Sequence, residues 1–176
     1  MGTSEESGNP FWDFSLEVYA RPGVPEACVS LQDRRGLDVN VLLYALWAGS
    51  QGRRLSKANC DALSATASAW QDEVVRPLRS VRRALKKTGV LAEERALREC
   101  VKRGELAAEQ VEQRLLFDLG GLGDVVPDSI SAAADNLLLA ASAGSAGTVA
   151  QDRHDLRVLL RAAFPALNGE ESARLV

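Results

Sequence analysis

His154 is the single histidine of the chain, and it stands between Asp152 and Asp155 in the run DRHD. A carboxylate-backed imidazole is the commonest general base, but neighbours one or two positions apart on a helix do not face each other. The run therefore reads as a partly exposed surface feature rather than a catalytic dyad. Cys28, Cys60 and Cys100 are odd in number, far apart and free of any C-x-x-C pair. Each falls where a helical pattern calls for an apolar residue, so all three are expected to be buried thiols. One histidine and three scattered cysteines support neither a transition-metal site nor a disulfide framework.

Three polar clusters carry other chemistry. The segment GGLGDVV (120–126) has the glycines of a phosphate-cradling loop, but lacks the preceding strand and the lysine that such a loop needs. It is expected to be a plain connection between helices. Asp33, Asp38 and Asn40 gather in the turn LQDRRGLDVN, where carboxylates could hold a hard cation such as magnesium. Capping of the helix that follows accounts for Asp38 and Asn40 without a metal. Asp13 and Glu17, one turn apart among aromatics, read as the polar edge of a first helix, able to border a pocket. No catalytic residue, cofactor-binding residue or metal ligand is assigned from these clusters, and no cofactor is expected.

The basic run is the strongest functional feature. Arg76, Arg79, Arg82, Arg83, Lys86 and Lys87 occur with no acid between them, and Arg76, Arg79, Arg83 and Lys86 share one helical face. Arg95, Arg98, Lys102 and Arg103 extend the run, opposed locally by Glu93, Glu94 and Glu99. Such a patch could meet an acidic protein surface or nucleic-acid phosphates, or be a solvated face laced with weak ion pairs. No aromatic residue interrupts it for base stacking, which ranks a protein partner above nucleic acid.

The elements that would position these groups are helical throughout. Asn9-Pro10 starts a first helix, with Asn as cap and Pro where its missing N–H costs nothing, and Arg21-Pro22-Gly23 stops it. A second short helix runs from Pro25 to Gly36. Asp38 caps a third, over 38–48, whose residues are apolar on every face, as in a central buried helix. From Ser56 onward, Cys60, Leu63, Ala67, Trp70, Val74, Leu78, Val81 and Leu85 recur at the helical period straight through Pro77. This predicts one long helix over 57–88, kinked near Pro77 because the Glu73 carbonyl loses its donor.

A fifth helix over 92–119 shows the line Leu97, Val101, Gly104, Ala108, Val111 and Leu115, with Gly104 expected to admit a closely packed neighbour. Asp128 or Ser129 caps a sixth. Thr148 and Gln151 form a capping box for the last, which Pro165 ends. Residues 1–8 are expected to be disordered, 142–147 (SAGSAG) a flexible linker and 166–176 a loose tail. No segment alternates with period two, so no sheet is expected. The reading is an all-α, single-domain bundle of about seven helices over 9–165, with helix 57–88 antiparallel to helix 92–119.

Bulk composition agrees with a globular chain. The 176 residues are 46% hydrophobic and 26% charged, with a net charge of −3, which gives no general attraction to nucleic acid or anionic lipid. No run approaches the roughly 18 apolar residues of a membrane span, and Met1 to Pro10 lacks the order of a signal peptide. A cytosolic protein without a membrane partner is expected.

The stretch FWDFSLEVYARPGVPEACVSLQDRRGLDVNVLLYALW (11–47), followed by Trp70, VVRPLR (74–79) and RRALK (82–86), resembles the signature of a family of conserved, uncharacterised proteobacterial proteins. The resemblance extends over about residues 10–118. It implies a bacterial, cytosolic setting and no particular activity. The functions expected, in order, begin with an adaptor or regulatory protein that binds a protein partner through the basic hairpin. A nucleic-acid or ribosome-associated accessory protein using the same surface comes next. A small-molecule binder or enzyme with a pocket among Trp12, Asp13, Tyr19, Tyr44 and Trp47 comes third.

Overall fold

The structure is a computed structural model and describes residues 8–88, 91–142 and 150–176. Among them run α1 (Pro10–Tyr19), α2 (Val24–Arg35), α3 (Val39–Ser50), β1 (Arg53–Arg54), α4 (Lys57–Trp70), a π turn (Gln71–Val75), α5 (Arg76–Thr88), α6 (Ala92–Asp118), β2 (Asp124–Val125), α7 (Ser129–Ser142), α8 (Ala150–Ala163) and α9 (Gly169–Leu175). The protein is all-α. No described helix is long and apolar enough to cross a membrane. Thr148 of the expected capping box, residues 143–147 of the SAGSAG run and residues 1–7 of the expected disordered N-terminus lie outside the described residues.

The local signals act as the sequence implies. The Asn9 side chain accepts from Phe11 N (3.1 Å) and Trp12 N (3.3 Å), and Asp38 accepts from Asn40 N (2.8 Å) and Val41 N (3.2 Å). α3 is the central helix and touches α1, α2, α4, α6, α7 and α8. Its aromatic side joins Phe11, Tyr44 and Trp47 with ring centroids 5.2–5.6 Å apart, and Trp47 continues to Phe117 at 5.6 Å. Its opposite side lies against α7 at a close crossing, where a Cβ on Gly49 would come within 2.2 Å of Ala133 Cα. Fully buried Asn136 pins α7 to the end of α3, its Nδ2 donating to Ala45 O (3.2 Å) and Arg53 O (2.8 Å) while Oδ1 accepts from Leu55 N (2.7 Å).

The long helix is continuous from 57 to 88, but its irregularity precedes Pro77. A π turn at Gln71–Val75 closes with Arg76 N–H donating to Gln71 O. The wider turn comes just where the proline ring would crowd the preceding carbonyl. It also moves the buried line by one position, so Gln71 and Val75 turn inward and Val81, placed on the seam by the sequence, is 47% exposed.

α6 departs from expectation in the same way. It runs antiparallel to α4–α5, but its buried residues are Glu105, Ala108, Glu112, Gln113 and Leu116, while Leu97, Val111 and Leu115 are exposed. Gly104 marks no close approach, since a Cβ there would lie 4.0 Å from Leu78 Cδ2. Cys100 is exposed on the outer face of α6, whereas Cys28 and Cys60 are buried.

Two further expectations are corrected. The Gly-rich connection contributes β2, which pairs antiparallel with β1 (Arg53↔Val125, Arg54↔Asp124), so a minimal two-stranded sheet exists. Gly123, at φ 90°, brings its backbone so near Arg54 that a Cβ would lie 2.6 Å from Arg54 O, a conformation and space only glycine fits. Residues 166–176, expected to be loose, contain α9 and bury Leu167, Ser172 and Val176. Asn168 and Glu171 cap that helix reciprocally.

Candidate functional site: a cleft between α1, α2 and α6

Trp12, Ser15, Leu16 and Tyr19 occupy one face of α1 through the i, i+3, i+4, i+7 spacing. Opposite them stand Val29 and Gln32 of α2 and Leu106, Glu109 and Gln113 of α6, again one turn apart. Between these walls is a cavity of about 180 Å³ floored by the first turn of α3, Gln71 of the π turn and Arg79 of α5. A groove that shares Gln32, Gln71 and Arg79 with it continues along α5 to Arg76 and Arg83.

The floor is polar and buried. Gln113 Nε2 donates to Asn40 Oδ1 (2.8 Å), and Gln71 Nε2 donates to Glu112 Oε2 (2.8 Å). Ser15 and Gln113 are each only 3% exposed, yet Ser15 Oγ and Gln113 Oε1 have no hydrogen-bond partner among the described residues. Leaving such atoms buried and unpaired costs about 1–3 kcal/mol each, a cost that a bound hydrogen-bonding group removes. The rim is the reverse, with Leu16, Tyr19, Val29 and Leu106 exposed around the opening.

Beneath the floor lies a carboxyl pair. Burial raises both Asp38 and Glu112, and the charge of Asp38 pushes Glu112 further, up to about 9. Asp38 keeps the charge because it faces the free N–H groups of α3, leaving Glu112 a neutral acid at pH 7. Glu112 does not reach the cleft lining. The other reactive groups are similarly quiet. Burial, reinforced by the Asp155 charge, pushes the Cys28 thiol up to about 12, and burial with Asp61 pushes Cys60 to about 11. No base bonds Ser15 Oγ. Among the described residues no three metal-ligating side chains converge.

The expected basic surface is divided by the fold. Arg79 donates to Glu105 (2.9 Å) and Glu109 (3.0 Å), Arg82 also grips Glu105, and Arg76 pairs with Asp72. Arg83, Lys86 and Lys87 are exposed, with no carboxylate partner among the described residues. Glu105 is buried and held below its ordinary value by the two guanidiniums, against the upward push of burial. Glu105 and Glu109 lie farther along the chain from the basic run than Glu93, Glu94 and Glu99. The one-turn spacing of Glu105 and Glu109, matching Arg79 and Arg82 across a hairpin, was the available signal.

The expected aromatic pocket is divided too. Trp12 and Tyr19 line the cleft, Tyr44 and Trp47 belong to the core, and Asp13 is exposed outside it. Tyr44 Oη donates to Gly120 O (3.1 Å). Asp33 is exposed and Asp38 serves as a cap. The Gly-rich loop turns carbonyls of Gly121 and Gly123 to Arg53 (3.1 and 3.2 Å), the opposite of a phosphate cradle. His154 is exposed, while Asp152 and Asp155 face Arg34 of α2, each at 2.6 Å.

No curated protein and no solved structure matches the chain. A family model does match residues 10–116, a segment that contains every residue lining the cleft and its groove. On that match the chain belongs to DUF2390, a family of proteins of unknown function.

Proposed function

We propose that this protein is an adaptor that binds a protein partner by receiving one bulky partner side chain in the α1–α2–α6 cleft. The observation that carries this reading is the pairing of two buried, unpartnered oxygens (Ser15 Oγ and Gln113 Oε1) with an exposed apolar rim. A cavity of about 180 Å³ suits a single side chain, and the rim around it suits a flat partner surface that seals water out. Arg83, with Lys86 and Lys87 beyond it, favours acidic groups on the partner next to the inserted residue. Nucleic acid is the weaker reading, because Arg79 and Arg82 already hold carboxylates. The cytosol, expected from the sequence, is taken as the setting.

Selection of peptides from a random displayed library provides the test. Peptides with a bulky side chain that carries a hydrogen-bonding group, such as tryptophan or tyrosine, beside acidic residues are expected to be enriched. Leu106→Asp is expected to weaken their binding by about tenfold or more, Ser15→Ala and Arg83→Glu by less. Peptides that bind the Leu106→Asp and wild-type proteins equally, or no enrichment at all, would remove the proposal.

A further inference from the structure

We infer that a second cleft, between the α1–α2 turn, α8 and α9, binds a small molecule through a phosphate or diphosphate group. The site is separate from the α1–α2–α6 cleft and shares no lining residue with it. His154, Arg157 and Arg161 project from one face of α8, and Arg21 approaches from the turn after α1. With Ser172 of α9 they line a cavity of about 450 Å³ into which no carboxylate projects among the described residues. The acids of α8, Asp152 and Asp155, are buried on its other face against Arg34.

The charge arrangement is what distinguishes this cleft. On α5, Arg79 and Arg82 are neutralised by glutamates from α6. Here Arg157 and Arg161 have no ion-pair partner among the described residues, and Arg157 Nε is buried without an acceptor. Arg21 has only the exposed contact with Glu17 (3.1 Å). Guanidiniums gathered without an anion repel one another, and each presents a planar fork that matches phosphate oxygens in pairs. Three arginines suit a ligand carrying two or more negative charges. The remaining walls include Pro22, Val158 and Pro165, and among the described residues no aromatic ring lines the cleft to stack on a base. That selects a phosphorylated aliphatic or sugar-like molecule over a nucleobase-recognition site.

Calorimetry with pyrophosphate, inorganic phosphate and phosphatidic-acid vesicles, at low salt on the full chain, tests this. Pyrophosphate is expected to bind saturably at one site, with affinity that declines as salt is added. Arg161→Glu, on an exposed position, and Arg157→Gln are each expected to weaken it at least about tenfold, while Arg83→Glu leaves it unchanged. Unaltered circular dichroism in Arg161→Glu separates lost binding from lost folding. No saturable binding at millimolar pyrophosphate overturns the inference, as does equal weakening by Arg83→Glu. Vesicle binding that needs Arg161 in place of pyrophosphate binding overturns the assignment to a small molecule.

Discussion

Replacing Glu112 by glutamine removes a single titrating proton from the buried interface of α3 and α6. The side chain is fully buried, and burial together with the Asp38 charge raises it from 4.5 to about 9. Between those values the folded protein holds a proton that the unfolded chain has released. The unfolded state then binds fewer protons, so stability falls as pH rises, by about 1.4 kcal/mol per pH unit. From pH 5 to pH 8 that amounts to about 4 kcal/mol, a large part of the stability of an ordinary domain. The glutamine amide stays neutral throughout, can donate toward Asp38 as the protonated acid does, and can accept from Gln71. Urea unfolding followed by circular dichroism at steps between pH 5 and pH 9 measures the difference between the two proteins, in which titrating groups away from the Asp38–Glu112 pair cancel. Near pH 5 they are expected to agree within about 1 kcal/mol. By pH 8 Glu112→Gln is expected to be the more stable by several kcal/mol. Two curves that remain parallel across this range would refute the neutral buried acid, as would a variant that is the less stable at pH 8.

Four other measurements address the packing. Gly49→Ala, which forces a methyl into the backbone of α7, is expected to destabilise by about 3 kcal/mol in urea unfolding. Gly104→Ala has room beside Leu78 and a helical backbone, so it is expected to raise stability by about 0.5–1 kcal/mol. Asn136→Leu strands the buried Leu55 amide N–H and removes the donations to Ala45 O and Arg53 O, and is expected to cost about 3 kcal/mol by the same assay. In a thiol-modification time course at neutral pH, Cys100 is expected to react first. Cys28 and Cys60, raised to about 12 and about 11, follow only on unfolding.

Much of the helical skeleton was legible because its signals are local. Asn9, Asp38 and Ser56 cap the helices they precede, and the apolar run 39–48 is the central helix. Continuity through Pro77 was also readable, since the apolar period persists on both sides of it. The cleft was only half visible. Trp12 and Tyr19 could be singled out as pocket residues, but Ser15, Gln71 and Gln113 looked like ordinary polar positions. Gln71 turns inward within the π turn, and Ser15 and Gln113 are buried by the helices packed against them, which nothing in the neighbouring sequence announces.

Backbone hydrogen bonding joins residues four apart, so composition, period and caps determined the helices, their approximate ends and the all-α class without reference to distant parts of the chain. Which face of a helix is buried is settled elsewhere. Glu105, Glu109 and Glu112 resemble solvent-facing residues of α6, and they turn inward because Arg79, Arg82, Gln71 and Asp38 come to meet them. Desolvation of a charge is tolerable only where a partner waits, and here those partners lie in other helices. For that reason the tertiary structure alone decided the polar seam, the neutral Glu112, the exposed leucines and both clefts.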